Sequence, residues 1–160
     1  MDRNRIYVDK RHEPFATKGL GKLVFTAIQF TWGLSVNMVG GAAYLLLKRR
    51  CRHEKFCNAY ITYVPANFGG VSVGKFIFMA EGRKKEWEYN TRIHEYGHTI
   101  QCLFLGPLYW IVVAIPSSFW CNVLRGYRER NKLSYYKLYC ESWANRAGQL
   151  WSGYRQSGNR

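Results

Sequence analysis

Two long stretches without charge interrupt a chain that is otherwise polar and basic. The first covers 25 residues, Leu23 to Leu47, and the second covers Leu103 to Leu124. A helix of that first length rises about 37 Å, enough to cross a hydrocarbon core of about 30 Å with some tilt. The pattern predicts a transmembrane helix over 23–47, in which Gln29 and Asn37 can face a partner helix. A buried helix in a soluble core is the alternative.

Between these stretches the pattern changes to short runs of β-branched and aromatic residues. Ala59–Val64 stops before Pro65, and Val71–Met79 follows the turn signal of Asn67–Gly70. Such runs favour strands, so we predict a small β-ribbon within 58–80. The chain then divides into a basic N-terminal segment 1–22, the transmembrane helix 23–47, a basic linker 48–57 and a folded α+β domain 58–160.

The most specific motif of the chain is His94-Glu95-Tyr96-Gly97-His98, an H-E-x-x-H sequence. We place it on a helix whose N-cap is Asn90 or Thr91. On such a helix the two imidazoles lie one turn apart on one face, where they can share a Zn²⁺ ion at about 2.0–2.1 Å each. Glu95 then lies beside the ion and can take a proton from metal-bound water.

The alternative is a surface helix that carries two histidines by chance. The whole chain has only four histidines, so a chance match to the motif is improbable. Gly97 lowers the helix propensity by about 1 kcal/mol relative to alanine, which indicates that another element approaches the helix closely there.

Two histidines and a water leave a catalytic zinc ion one protein ligand short. No histidine follows His98, and Glu129 lies in a charged linker. Glu141 is the remaining downstream candidate inside a helical pattern, which we place from Ser134, as its N-cap, to Leu150. A lone glutamate on a helix is ordinarily a solvated surface residue, and that is the alternative.

If Glu141 completes the site, the chain between the two helices must cross a bilayer an even number of times. The second apolar stretch is too short for two full crossings. Pro107 and Pro116 each remove a backbone donor and kink or end a helix. We therefore predict that the membrane-associated segment 103–124 is a re-entrant or interfacial helical hairpin broken near Pro116, or a buried core element.

The net charge of +14 points to an anionic partner, either nucleic acid or an anionic lipid surface. No helical or sheet reader of nucleic acid is recognisable, so we expect no nucleic-acid partner. Five cysteines without a C-x-x-C pair fit a reduced compartment. The basic residues that crowd after the two apolar stretches, as at a bilayer interface, are Lys48, Arg49, Arg50, Arg52, Lys55, Arg125, Arg128, Arg130, Lys132 and Lys137.

The segment Glu141-Ser142-Trp143-Ala144-Asn145-Arg146 resembles the E-x-x-A-D-R signature of the gluzincin metallopeptidases. The nearest likeness is to the CAAX-prenyl endoproteases and their HtpX-like bacterial relatives, which also order a membrane helix, H-E-x-x-H, apolar segments and a glutamate helix. The chain also resembles a group of small bacterial membrane proteins that contain an H-E-Y-G-H motif. The segments that carry this second likeness are Gly69–Gly74, His94–His98, Leu105–Tyr109 and Trp143–Asn145.

The resemblance implies a zincin-like helix pair with an apolar helical hairpin between its helices. It implies that His94, His98 and Glu141 bind zinc and that Glu95 is the general base in peptide hydrolysis. Asn145 stands where the family has an aspartate that orients a liganding histidine, and the lost charge weakens that support by about 10–100-fold in affinity or activity. It also implies that the strand before the motif helix binds substrate along its edge.

Candidates for the donor that stabilises the oxyanion are Tyr154, Arg155, Arg146 and Tyr127, each of which is otherwise a surface or packing residue. The resemblance and the basic cluster after the first stretch place the protein in a bacterial cytoplasmic membrane, with its site on the cytoplasmic side. The leading hypothesis is a membrane-bound zinc metallopeptidase acting on peptides or membrane proteins. The alternatives are a non-catalytic membrane protein with a structural or vestigial zinc site that acts through partner binding, and a basic protein with incidental histidines.

Overall fold

The computed structural model describes residues 10–157, and this part of the chain is an α+β protein, as predicted. The first nine residues of the predicted basic segment 1–22 lie outside the described residues. The elements in chain order are α1 (Gly19–Thr31), α2 (Leu34–Leu47), β1 (Arg52–Phe56), β2 (Ala59–Val64), β3 (Gly70–Val73), β4 (Phe76–Ala80), α3 (Lys85–Leu105), α4 (Trp110–Val123), α5 (Arg125–Arg130) and α6 (Tyr139–Ser152).

The predicted β-ribbon is part of a larger, four-stranded sheet. Its strand order is β1-β2-β4-β3, with β2 and β4 parallel and the two outer pairs antiparallel. The strand β1 comes from the predicted linker 48–57. Phe56 is its one fully buried residue and pairs with Ala59, whereas its charged residues hide the strand pattern in the sequence. The edge strand β3 is the strand that lies nearest to the site described below.

The sheet packs against α3, and α3 packs against α6. The core contains Ile61 and Met79 from the sheet and Ile93, Tyr96 and Ile100 from α3, all of them fully buried. Burial of large apolar side chains along one side of α3 fixes its rotation, because turning the helix would bring those side chains into water. The other side of α3 therefore always faces α6.

The contact between α3 and α6 is close because each helix presents a glycine to the backbone of the other. An ideal Cβ atom built on Gly97 would lie 1.9 Å from the carbonyl oxygen of Ala144, and one built on Gly148 would lie 2.0 Å from that of Ile93. Both distances are far below van der Waals contact. The close approach predicted from Gly97 is confirmed, and the partner is the glutamate helix.

The predicted straight helix over 23–47 is instead two helices. The helices α1 and α2 meet at Trp32 and Gly33 and are bent by 94°. Among residues 10–157, no single helix is long and apolar enough to cross a bilayer, although the bent pair meets that length and composition together. The predicted single helix is therefore wrong, and the apolar stretch forms a bent pair of helices.

Two buried amide side chains hold this break. The Nδ2 atom of Asn37 donates to the backbone oxygen of Gln29 at 2.8 Å, to Oε1 of Gln29 at 2.8 Å and to the backbone oxygen of Gly33 at 3.0 Å. The Oδ1 atom of Asn37 accepts from the backbone N–H of Lys75 at 2.8 Å, and Nε2 of Gln29 donates to the backbone oxygen of Thr99 at 2.9 Å. The polar residues that interrupt the apolar stretch are therefore the residues that fix its bend.

The prediction of a hairpin broken near Pro116 is wrong. The chain turns earlier, after α3 ends at Leu105, where Gly106 has a positive φ of 54°. The helix α4 then passes through Pro116 without a break, since π-helical turns flank a short α-helical turn, Ile115–Ser118. The N–H of Ile115 donates to Trp110 five residues back, a pattern that accommodates the donor missing at the proline.

The motif helix begins earlier than predicted. The helix α3 starts at Lys85, so the predicted N-caps Asn90 and Thr91 lie inside it. Its first turn contains Glu86 and Glu88, whose charges are favourable beside the positive end of the helix dipole.

The glutamate helix begins later than predicted. The hydroxyl of Ser134 accepts from the N–H of Tyr136 at 3.3 Å and so caps a single 3₁₀ turn, whereas α6 starts at Tyr139. This start puts Glu141 in the first turn of α6, with its side chain facing α3. The helix ends at Gly153, which adopts a left-handed conformation with a φ of 74°.

Candidate metal centre

The close contact of α3 and α6 brings three predicted ligands together. The Oε2 atom of Glu141 lies 3.0 Å from Nε2 of His94 and 3.4 Å from Nε2 of His98. One possible ligand atom from each of the three residues lies within 4.8 Å of the other two. All three side chains are buried, and Glu141 is 0% exposed. One small cation at the centre of this group could contact all three residues.

The buried carboxylate has an oxygen without a hydrogen-bond partner. Among the described residues, Oε2 of Glu141 makes no hydrogen bond of normal geometry, although both imidazoles approach it. A buried oxygen in this state costs free energy that a bound cation would recover. This orphaned atom is the observation that best fits the group to a metal ion.

The protonation equilibria within this group favour opposite charges. Burial raises the pKa of Glu141, but contacts with His94 and His98 outweigh it and hold that pKa well below its usual range. Burial lowers the pKa of His98, but its neighbours together, Glu141 first among them, outweigh burial and raise that pKa. The group therefore holds negative charge on the carboxylate and attracts positive charge to its centre, as a cation site does.

Both histidines are oriented by amide groups on their outer nitrogens. The Nδ1 atom of His94 lies 2.8 Å from Oδ1 of Asn145, and Nδ1 of His98 lies 2.6 Å from Oε1 of Gln101. Because an amide oxygen can only accept, each Nδ1 carries a proton, and each imidazole in its neutral form would offer its Nε2 lone pair to a cation in the site. Asn145 thus lies beside one of the two histidines, as the family resemblance implies.

Each of these two amide side chains makes a further hydrogen bond that fixes its orientation. Gln101 donates from Nε2 to the backbone oxygen of Cys140 at 2.7 Å, which ties it to the start of α6. Gln156 donates from Nε2 to Oδ1 of Asn145 at 3.0 Å. The sequence analysis missed both glutamines. The signal for Gln101 was its spacing of three residues from His98 on one helix face, whereas Gln156 lies outside any helix and gave no signal.

Glu95 lies on the side of α3 that faces the edge strand. Its Oε2 atom accepts a hydrogen bond from the hydroxyl of Ser72 at 2.8 Å. Gly70 of the same strand faces the other oxygen, since an ideal Cβ atom there would lie 2.5 Å from Oε1 of Glu95. The strand therefore orients one carboxylate oxygen and leaves room at the other.

A cleft of about 930 Å³ opens over the metal group. The residues that line it come from β3, from α4 and from α3, and those from α3 include His94 and Glu95. The ring centroids of Tyr135 and Tyr136 lie 6.4 Å and 5.2 Å from that of His94. Burial raises the pKa of Tyr136, so its phenol stays protonated and can donate a hydrogen bond at neutral pH.

The predicted oxyanion donors are not among the residues that line this cleft. Tyr154 packs against Phe56 with ring centroids 5.7 Å apart, and its backbone pairs with Lys10. Arg146 and Arg155 are exposed, as is Tyr127. Three of the four predicted donors follow Glu141, whereas the two tyrosines that line the cleft come just before it.

No protein-family model, curated protein or solved structure matches this chain. The functional interpretation therefore depends on the geometry and chemistry of the residues in this site.

Proposed function

We propose that this protein is a membrane-bound zinc metallopeptidase, with zinc held by His94, His98 and Glu141. The observation that carries the proposal is the convergence of these three donors, one of them with an orphaned oxygen, beneath an open cleft. Imidazole donors suit zinc and neighbouring transition metals better than magnesium or calcium. Two histidines and a glutamate are a donor set of catalytic zinc sites, in which bound zinc supplies a Lewis acid and lowers the pKa of water.

Glu95 is the general base in this proposal. It lines the cleft together with His94, and its carboxylate is oriented by Ser72 through Oε2. The Oε1 atom then accepts the proton of the attacking water and later delivers it to the leaving amine. The Ser72 hydroxyl restricts the rotation of the carboxylate, so the base is positioned before substrate arrives.

Tyr136 is the group best placed to stabilise the oxyanion. Its ring lies on the cleft side of His94, and its raised pKa keeps the hydroxyl proton in place for donation. Tyr135 lies slightly farther away, and its hydroxyl is 3.2 Å from that of Ser117. A donor that strengthens its contact as the oxyanion forms lowers the barrier more than it strengthens substrate binding.

An extended peptide is the substrate that fits the cleft. The strand β3 pairs with β4 on one side only, and Gly70 and Val71 line the cleft. A peptide that adds to this edge would gain main-chain hydrogen bonds and lie across Glu95 and the metal group. The small Gly70 allows that backbone to come close, because no side chain intervenes.

Metal analysis combined with hydrolysis assays tests the proposal. We expect about one zinc ion per purified chain, largely lost in His98→Ala and Glu141→Ala. Glu95→Gln should keep the zinc and lower peptide hydrolysis by at least about a thousandfold, since it removes the base alone. Glu129→Ala, at an exposed ion pair with Arg125, is the control and should change neither. Full zinc content in Glu141→Ala would exclude the proposed ligand set.

A second function is favoured by Asn145. A neutral amide supports His94 where gluzincins use a carboxylate, which suits a structural or vestigial zinc site in a protein that acts by binding a partner. That function predicts zinc content like the first but no hydrolysis of any peptide, in the wild type or in Glu95→Gln. Activity in the wild type that Glu95→Gln abolishes would exclude it.

A further inference from the structure

The chain segment before α1 is attached to the folded body that carries the metal site. Lys10 pairs with Tyr154 in an antiparallel bridge, and the N–H of Phe15 donates to the backbone oxygen of Trp151 at 2.9 Å. The rings of Phe15 and Trp151 lie 4.6 Å apart. Asn58 also donates to the backbone oxygen of Phe15 at 3.2 Å. The segment is therefore fixed to the end of α6 and to the sheet.

The chain segment after α2 joins the same body. Only four residues separate Leu47 from β1, whose residues pair with β2 from Arg52 to Phe56. The ring of Phe56 lies 5.7 Å from that of Tyr154, the residue that also pairs with Lys10. The apolar stretch thus leaves and returns to one side of one folded body, which a single crossing of a bilayer does not allow.

The bend between the two helices is also bonded to that body. Gln29 donates to Thr99 on α3, and Asn37 accepts from Lys75 in the turn between β3 and β4. The indole N–H of Trp32, at the bend itself, donates to the backbone oxygen of Phe104 at 3.2 Å. Straightening the pair into a spanning helix would break these contacts and expose two amides that are 0% and 1% exposed. The bent conformation is therefore stabilised by specific hydrogen bonds to the folded body.

The outer surface of this bent pair is strongly apolar, with cations at both ends. Lys18 and Lys22 lie at the start of α1, and Lys48, Arg49 and Arg50 follow α2, all exposed. Cations at the margin of an apolar surface complement anionic lipid headgroups above hydrocarbon. The exposed apolar side chains of the pair and of the adjoining end of α3 are Leu20, Leu23, Val24, Ile28, Phe30, Trp32, Leu34, Met38, Val39, Leu45, Leu46 and Phe104.

We infer that residues 19–47 form a re-entrant element that enters and leaves one leaflet of an anionic bilayer on the side where the metal site lies. The protein is then monotopic, with residues 10–18, its sheet and its metal site on one side of the membrane. This inference deepens the membrane attachment in the proposed function but does not depend on zinc. Charged residues mark its edges, and its bend marks its deepest part.

Topology of the full chain tests this directly. Epitope tags at the two termini should be digested from the same side in membrane vesicles, and the protein should resist extraction by high salt. Tags protected on opposite sides would overturn the inference in favour of a spanning helix. Release at high salt as a defined oligomer would also overturn it, since a second copy of the chain would then cover the apolar surface. The Glu141→Ala chain should show the same topology, which separates this test from that of the metal site.

A matched pair of charge insertions tests the element itself. Met38 in α2 and Leu150 in α6 are 64% and 66% exposed, so neither substitution disturbs a core. Met38→Glu should lower the fraction bound to phosphatidylglycerol vesicles by about tenfold or more, because a carboxylate is costly at hydrocarbon depth. Leu150→Glu should leave binding unchanged. Equal binding by the two variants, or equal wild-type binding to phosphatidylcholine vesicles at low salt, would overturn the inference.

Discussion

The molecule contains two helix pairs with buried polar groups, and they use those groups differently. In α1 and α2 the amides of Gln29 and Asn37 are satisfied within the protein. In α3 and α6 the Glu141 carboxylate keeps an oxygen that has no hydrogen-bond partner within residues 10–157, although two imidazoles approach it. Satisfied buried groups specify a shape, whereas an unsatisfied carboxylate oxygen between two imidazoles is suited to a bound cation.

The largest expected effect comes from separating α3 from α6. Gly97→Ala would place a Cβ atom 1.9 Å from the backbone oxygen of Ala144, so the helices must move apart. We expect a loss of about 2–4 kcal/mol in the free energy of unfolding, despite the better helix propensity of alanine, together with weaker zinc binding. Urea unfolding in detergent and zinc titration measure the two effects.

Gly126→Ala is the control for that substitution. An ideal Cβ atom on Gly126 of α5 meets nothing within 4 Å, so alanine should be neutral or slightly stabilising there. If both alanine variants behave alike, the close helix contact is not what holds the metal group together.

The next largest effect concerns the bend. Asn37→Leu would leave the Lys75 N–H and the Gln29 side-chain oxygen without partners. We expect a loss of roughly 2–4 kcal/mol in the free energy of unfolding, with unchanged zinc content, because the metal group is separate. Thermal unfolding and metal analysis on the same sample check both parts. Asn131→Leu, which removes one exposed local hydrogen bond, should be nearly neutral. Zinc loss in Asn37→Leu would show that the two helix pairs are coupled.

A smaller effect is expected where an amide orients a ligand. Gln101→Leu removes the acceptor for His98 Nδ1, and we expect zinc affinity to fall about 10–100-fold. Gln101→Glu keeps an acceptor and should retain most of the affinity. Competition with a fluorescent chelator measures both. A fall of the same size in the two variants would point to the lost contact with Cys140 as the cause.

The smallest effect is expected from placing a negative charge beside His94. Asn145→Asp gives Nδ1 of His94 a charged acceptor, while Gln156 still donates to the same oxygen. A more basic histidine should raise zinc affinity by up to about tenfold. The same chelator competition applies, and lower affinity would mean that the neutral amide is the better fit at this position.

Local patterns predicted the parts of this protein that depend on local geometry. Spacing along one helix was enough to group His94 with His98 and to identify Gly97 as a close contact, because the helical repeat fixes which side chains share a face. Strand propensity located β2 in the same way, but the predicted run Val71–Met79 is divided by a turn into two strands, β3 and β4. It failed for β1, where charged residues occupy a strand whose only buried anchor is Phe56.

The positions of the two tyrosines in the cleft could not be predicted from the sequence. Tyr135 and Tyr136 precede Glu141, and nothing in their spacing indicates that they face His94 across the cleft. Their position depends on the turn before α6, which starts later than its capping signal at Ser134 suggested. A cap specifies the conformation of one turn, and it does not determine how far the following helix extends.

The sequence by itself determined a histidine pair on a helix, a glutamate on a second helix and two apolar stretches, since each depends on residues within a few turns. The tertiary structure decided that the glutamate meets the histidines, because two glycines let the helices touch. It also decided that the first apolar stretch is bent, since Gln29 and Asn37 find their partners 70 and 38 residues away. A hydropathy pattern carries no information about partners at that distance, and those partners bend a stretch long enough to span a membrane into two helices.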